Sequence, residues 1–312
     1  MPYYEKGKYD VAILHLDQQC VEDSLWDRGK GSLYRELNET ITGIPKIVII
    51  HGTPFYPEIF NDLEVCERFK RAIGNNTVVC NSYTGRLQWA YGMTNATNII
   101  IKAKENGKDW TKLAKQEIDE MGFEEVGIPY EQITPIWHGI ESGLFKDLPK
   151  DPRVITMINP GGLDRYYDRN FMSAVRDELA DRNIGHCHIT VDVRFNSFEE
   201  YANFIGRSLI YFNPTRESPM PRGRTEAMLS GCCVLTTPGQ DADTFIEHGK
   251  NGFLIPRKPD KVADLIESLI LDYQTALKIG QAGKQTALNL FEYGRYKKEW
   301  MDVLNKVINK IC

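Results

Sequence analysis

The stretch from Asn213 to Pro256, NPTRESPMPRGRTEAMLSGCCVLTTPGQDADTFIEHGKNGFLIP, constrains the fold more than any other part of this 312-residue chain. The apolar run before it, Leu209–Phe212, reads as a buried strand. Pro214, Pro219 and Pro221 then exclude a helix, because proline lacks an amide proton and its ring clashes with the preceding turn. Arg224–Leu229 has a short helical pattern, and Gly231 falls where a left-handed cap closes a helix. Cys232–Thr236 is apolar and β-prone, a second strand that Pro238-Gly239 ends. Asp243–Glu247 can form one more helical turn, and Gly249 and Gly252 frame a turn before Phe253–Ile255. Strand, loop, helix, strand, loop, helix is half of a doubly wound α/β domain.

Strands and helices alternate in the same way upstream. Tyr9–Leu16 reads as a strand, and Lys46–Ile50 (KIVII) as one buried on both faces, followed directly by His51-Gly52-Thr53. Glu58–Ile73 carries Phe60, Leu63, Cys66, Phe69 and Ile73 at helical spacing. Thr77–Cys80 is a strand, Arg86–Tyr91 a helix, Trp110–Met121 a solvated amphipathic helix, and Ile133–Trp137 a strand leading to His138-Gly139. Lys146–Pro152 (KDLPKDP) reads as a polar link, after which Arg153–Ile158 opens a second domain. Arg169 heads a helix to about Asp181, Asp260 caps Lys261–Tyr273, and a further helix covers about Thr275–Leu290. Tyr296, Trp300, Val303, Leu304, Val307 and Ile311 stripe a last helix. The fold class is therefore α/β, with two Rossmann-like doubly wound domains.

Composition narrows the classes. The chain is 42% hydrophobic and 26% charged, which excludes disorder, and its net charge of -5 argues against a nucleic-acid-coating surface. Seven cysteines without a C-x-x-C pair point to reduced thiols and a cytoplasmic setting. The opening residues MPYYEKGKYD hold no apolar signal core, and no run is long enough to span a bilayer. His186-Cys187-His188 is no metal set, since on a strand Cys187 points away from both histidines. Asp241-Ala242-Asp243 reads as helix capping by Asp241 or Asp243.

Glu226 lies in the first turn of a helix that follows a strand end, which is where open α/β sheets bind their ligands. A helix N-terminus offers N–H groups to phosphate. Arg222 and Arg224 stand at the same end, and arginine pairs with phosphate bidentately. A carboxylate there can accept hydrogen bonds from the vicinal hydroxyls of a ribose. Together these groups suit a nucleoside diphosphate. Position alone equally fits a glutamate that complements the helix dipole beside solvated arginines.

Glu226-Ala227-Met228-Leu229-Ser230-Gly231, an apolar strand, Gly239 and then Gly249-Lys250-Asn251-Gly252-Phe253-Leu254 resemble the donor-site signature of the retaining GT-B glycosyltransferases, family 4 (glycosyl transferases group 1). In the first half, KIVIIHG is similar to the family's strand-plus-histidine, TVVCNS to its next strand, and PIWHGIESGLF to its crossover into the second domain. The resemblance implies residues 1–148 as an acceptor-side domain and 149–291 as the nucleotide-sugar donor domain, with the helix 292–312 packing back on the first. It implies His51 as the histidine near the transferred sugar; a histidine satisfied at a strand end is the plain alternative. It implies a diphosphate site on the loop with Gly161, Gly162 and Arg165, with Arg169 next; both arginines equally suit a helix surface.

The chain departs from the family pattern in three places. The family has further β–α units before the strand that Tyr9–Leu16 resembles, which implies an N-terminal domain truncated at its start, or a partner subunit or oligomer that completes it. Of the family's two donor-site glutamates Glu226 is the second, while Ser218 occupies the first place and Glu217 lies one residue earlier. Gly239-Gln240 replaces a glycine pair.

The expectation is a hexosyltransferase-like glycosyltransferase. It would take a UDP- or GDP-linked sugar and an unknown acceptor, retain configuration, and need neither metal nor cofactor. The expected catalytic residues are His51, Glu217 and Arg165. The donor would be bound by Glu226, Arg222, Arg224, Ser218, Gly161, Gly162, Arg169 and Gly239. A sugar-nucleotide-binding module or subunit without transferase activity of its own is the alternative, and a sugar-nucleotide epimerase a third reading.

Overall fold

Runs such as KIVII leave no polar face for solvent, and every strand ladder among the described residues is parallel. The computed structural model describes residues 5–17, 30–54, 61–158 and 166–309. The chain divides into one unit of Met1–Trp137 with Lys298–Cys312, and a second of His138–Lys297.

In the first unit the strands β1 (Ala12–Leu16), β2 (Lys46–Ile50), β3 (Thr77–Cys80) and β4 (Ile133–Pro135) lie in the order β1-β2-β3-β4. Register pairs Leu14 with Val48, Val48 with Val78 and Val78 with Ile133. The helices are α1 (Lys30–Thr40), α2 (Asp62–Ile73), α3 (Tyr83–Tyr91), α4 (Met93–Glu105) and α5 (Lys115–Glu120). A reciprocal box of Asn61 and Glu64 starts α2, and the Ser82 side chain accepts the Gly85 N–H at the head of α3. Phe69, Trp89, Ile99 and Ile133 close the core over Val48 and Val78.

The helix expected over Trp110–Met121 is broken. Trp110–Lys112 forms a 3₁₀ turn, Leu113 is extended, and α5 restarts with Glu117 accepting the Ala114 N–H. Trp110, Leu113 and Ile118 are all buried.

In the second unit β5 (Asp151–Met157), β6 (His186–Ile189), β7 (Ser208–Asn213), β8 (Cys233–Thr236) and β9 (Phe253–Leu254) lie in the order β6-β5-β7-β8-β9. The helices are α6 (Arg169–Asp181), α7 (Phe198–Gly206), α8 (Arg222–Leu229), α9 (Pro259–Leu271) and α10 (Tyr273–Phe291), then α11 (Tyr293–Ile308), whose residues from Lys298 on count with the first unit. α9 begins one residue before Asp260, with Pro259 at its first position, so Asp260 sits in the first turn and does not cap.

The unit boundaries fall at Trp137/His138 and Lys297/Lys298, where the sequence pattern places 148/149 and 291/292. Most of the KDLPKDP segment is exposed, but one of its lysines is not. Lys150 is buried, and its ammonium donates to the carbonyls of Gly206 and Ser230, at the ends of α7 and α8. Further up, the Ile140 N–H donates to the Phe291 carbonyl.

Gly231 adopts the left-handed conformation expected of it, at φ +75°. It is crossed closely by α10. A Cβ on Gly280 would stand 2.3 Å from the Gly231 carbonyl oxygen, a backbone atom that cannot swing aside. Gly280→Ala should therefore cost about 1–3 kcal/mol by overpacking. Gly185→Ala, whose Cβ would meet nothing within 4 Å, should cost less than about 0.5 kcal/mol. Urea unfolding of the two variants checks this, and equal stabilities would contradict it.

Candidate functional site

Strand order fixes where the second unit presents a crevice. The chain runs from β5 outward to β6 and returns on the other side of β5 as β7, so the order reverses between β5 and β7. Loops at the carboxyl ends of such a pair line the ligand crevice of open α/β sheets. The loop after β5 holds Gly161, Gly162 and Arg165, which lie outside the described residues. The loop after β7 holds Arg216, Glu217 and Ser218.

The two loops are tied to each other. The Asp168 N–H donates to the Pro214 carbonyl at 2.9 Å, and the Arg216 N–H to the Tyr166 carbonyl at 2.9 Å. Asp168 is buried; its carboxylate caps α6 through the Phe171 N–H. It also accepts Arg216 Nε at 3.0 Å and Arg257 Nη1 at 2.7 Å. Burial would raise its pKa, but the bonds from Arg216 and the Phe171 N–H, with the charge of Arg257, hold it below the usual carboxylate range. Two guanidinium groups on one carboxylate leave net positive charge at this end of the sheet. Beneath them the Asn213 side-chain oxygen accepts the hydroxyls of Thr215 and Thr236, and Thr237 donates to the Thr215 carbonyl. This buried hub fixes the backbone that leads into Glu217 and Ser218, which are half-buried. Gly239 (φ +108°) and Gln240 (φ +49°) make the turn after β8, and Arg169 is the first residue of α6.

Glu226 is the fifth residue of α8, in its second turn and not its first, because the helix starts at Arg222. Nor is it an exposed dipole partner: it is 3% exposed. Its carboxylate accepts the Tyr201 hydroxyl at 2.5 Å and Arg222 Nε at 2.8 Å. Burial and the charge of Glu226 push the Tyr201 pKa far up, so its proton stays on the hydroxyl. Gly223 lies between the two arginines because a Cβ there would meet Met157 Cε at 2.3 Å and the Tyr211 hydroxyl at 2.6 Å.

The two arginines separate. Residues two apart on a helix point about 200° from each other, so they cannot face one ligand together. Arg222 keeps a side chain 60% exposed. Arg224 is completely buried, with Nη2 on Met220 Sδ at 3.4 Å and its guanidinium 5.1 Å from the Phe245 ring centre. Its Nε and Nη1 have no hydrogen-bond partner among the described residues. Burial pushes its pKa down to about 10, against the opposing charge of Asp241. Direct donor contact, expected of both arginines, is open to Arg222 alone. Asp241 departs from expectation as well: it is fully buried, makes no side-chain cap on the 3₁₀ turn Ala242–Thr244, and faces Arg224 electrostatically.

His51 lies in the first unit, directly after β2, with its ring beside that of His15. His186 and His188 point inward to Thr156 Oγ1 and the Ile158 carbonyl, each at 2.9 Å. Among the described residues no group of three metal-ligating side chains occurs, and no helix is long and apolar enough to cross a membrane.

Sequence reasoning missed Tyr201, Asp168, Arg257 and His138. Asp168 had a local signal, an aspartate directly before a helix pattern. Tyr201 reaches Glu226 only through the packing of α7 against α8.

His138 is half-buried against α8, with Nε2 3.0 Å from Thr225 Oγ1. Burial first, then the charges of Arg222, Arg224 and Arg295, push its pKa down to about 3 from the ordinary 6.5. Between those values the unfolded chain binds a proton that the folded chain refuses. Stability from this group is complete above pH 6.5 and is lost as pH falls toward 3. Urea unfolding at pH 7 and pH 5 should show the protein losing about 2 kcal/mol more than His138→Gln over the same interval. His186, held near pKa 4, leaves both proteins a residual slope of the same sign. Parallel losses would contradict the assignment.

Residues 178–286 match the family model described as Glycosyl transferases group 1. No curated protein matches the chain. Among solved structures, Anabaena HepE in complex with UDP-glucose aligns with a TM-score of 0.56 at 16% identity, over 84% of this chain and 72% of that one. S. aureus TarM aligns with a TM-score of 0.61 at 13% identity, over 94% of this chain and 54% of its own. The pneumococcal O-GlcNAc transferase GtfA in complex with UDP and GlcNAc gives 0.56 at 14%, over 90% and 55%. The chain thus spans little more than half the length of TarM and of GtfA. At these identities the likeness is one of fold. The chain has the α/β fold of the GT-B glycosyltransferases, with parallel sheets of four and five strands, and the stretch that matches the Glycosyl transferases group 1 model lies in its second unit.

Proposed function

We propose that the chain is a retaining, metal-independent glycosyltransferase of the hexosyltransferase kind, acting in the cytoplasm on a nucleoside-diphosphate sugar and an unknown acceptor. The observation that carries this reading is Glu226: a buried carboxylate beside the reversal point of a parallel sheet, held by Tyr201 and by the solvent-facing side chain of Arg222. HepE and GtfA, solved with UDP-glucose and with UDP and GlcNAc, support a UDP-linked donor.

In this reading Tyr201 fixes the Glu226 rotamer, and the free oxygen lone pairs receive the two ribose hydroxyls. Donor entry exchanges the Arg222 bond for those hydroxyls and frees the guanidinium for the diphosphate. Arg169, with Arg165 and the Gly161-Gly162 backbone, completes the phosphate site. Glu217 and Ser218 hold the sugar hydroxyls, and Gly239 lets the loop after β8 approach them. As the bond to the sugar breaks, negative charge grows on the diphosphate, and guanidinium groups and backbone N–H groups placed there beforehand lower its cost. Arg224 contributes a fixed buried charge behind the site, not a contact. His51 is the proposed histidine of the acceptor side. No protein nucleophile is invoked.

The one-residue displacement of Glu217 favours a second reading, a nucleotide-sugar-binding subunit without turnover. Thermal unfolding with UDP, GDP, ADP and their sugars, followed by donor turnover with and without EDTA, tests both. One nucleotide family at a hundredfold its dissociation constant should add about 2.7 kcal/mol of stability, and EDTA should leave turnover intact. Stabilisation without any turnover selects the second reading. Absence of stabilisation by every nucleotide sugar would end both.

A further inference from the structure

The carboxyl ends of β1 and β2 bring together two imidazoles, of which the proposed function uses one. His15 is the fourth residue of β1 and pairs in register with Ile49; His51 follows β2 directly. His15 Nδ1 and His51 Nε2 stand 2.9 Å apart. The ring planes are within 6° of parallel, with centroids 5.2 Å apart. The backbone under His51 is fixed on both sides. Its N–H donates to the Leu16 carbonyl at 3.3 Å, and Trp89 Nε1 donates to the Gly52 carbonyl at 3.3 Å. The two rings border a groove of about 460 Å³ whose other walls include Ile13, Leu33 and Leu37.

A bond between two ring nitrogens holds a single proton. One ring donates and the other accepts, so each is confined to one tautomer, and neither can gain a second proton at that contact without breaking it. We propose that His15 is a positioning residue for His51: its bond to Nε2 fixes the ring plane and tautomer of His51 and so presents Nδ1, in one defined hydrogen-bonding role, to a hydroxyl of the bound sugar or acceptor. The proposal rests on His51 serving the transferred sugar as proposed above.

The surroundings favour the neutral form of His51. Among the described residues the titratable groups facing His51 are His15 and Asp17 at the end of β1, and Tyr34 on α1, whose hydroxyl donates to the Ala72 carbonyl. Desolvation of the ring, then His15, lowers the His51 pKa, while Asp17 opposes them.

The test is nitrogen NMR of the histidine-labelled full chain, with the His51 signals assigned from their loss in His51→Ala. Wild type should show one His51 tautomer, with well-separated ring-nitrogen shifts. His15→Phe keeps a flat ring but no donor or acceptor, and should average the two shifts by tautomer exchange. His15→Asn, which offers an amide near the same place, should restore the separation. Thermal unfolding should match in all three. In donor turnover, His15→Phe should lose about ten- to a hundredfold in kcat with little change in donor KM, and His15→Asn should regain part of it. Unchanged His51 shifts in His15→Phe overturn the proposal, as does full kcat in that variant when His51→Ala is inactive. If His51→Ala itself keeps full turnover, the sugar-site reading of His51 fails, while the nitrogen shifts still report whether His15 orders the ring.

Discussion

A carboxylate taken out of water is costly unless donors meet it, and the donors that meet Glu226 come from two different places. Tyr201 arrives from α7, and Arg222 from one turn earlier on α8. Tyr201 is itself largely enclosed and fixed, so one side of the carboxylate is set by the fold. Arg222 extends into solvent and can leave, so the other side is open to exchange. The short helix that carries Glu226 depends on this arrangement, on Gly223 for its close approach to Tyr211 and Met157, and on Lys150 at its far end. The geometry proposed for donor binding is thus the geometry that lets the helix pack.

Charge is distributed in two layers at this end of the second sheet. The outer layer is Arg216 and Arg257 on Asp168, which ties the loop after β7 to the segment that starts α6. The inner layer is Arg224, buried without hydrogen-bond partners among the described residues on Nε and Nη1 and balanced at a distance by Asp241.

Much of the frame was legible in the chain because it follows from local rules. Strands such as KIVII and LIYF announce burial on both faces, Gly231 announces a left-handed cap, and the α6 helix begins and ends where its pattern does. The site was legible in part. Glu226, Arg222 and the loop with Glu217 and Ser218 fall beside the sheet's reversal point, as the strand–loop–helix order requires. What was not legible depends on contacts far apart in sequence. Nothing in KDLPKDP shows that Lys150 is needed at two helix ends, and nothing in PRGRTE shows which arginine turns inward until Met220 and Phe245 pack around it. Trp110, Leu113 and Ile118 look amphipathic in isolation, and only the core they fill explains why the helix breaks.

Calorimetric titration of the protein and of Glu226→Gln with UDP and its 2′-deoxyribose form tests the central claim most directly. Gln keeps an acceptor for Tyr201, so the variant should fold. If the Glu226 carboxylate receives ribose hydroxyls, charge-assisted bonds of about 1.5–3 kcal/mol in all are at stake, equivalent to about a ten- to hundredfold range in affinity. The protein should then prefer ribose over deoxyribose clearly, and the variant should lose most of that preference. Equal affinity of both proteins for both nucleotides would contradict the account and leave Glu226 a packing residue.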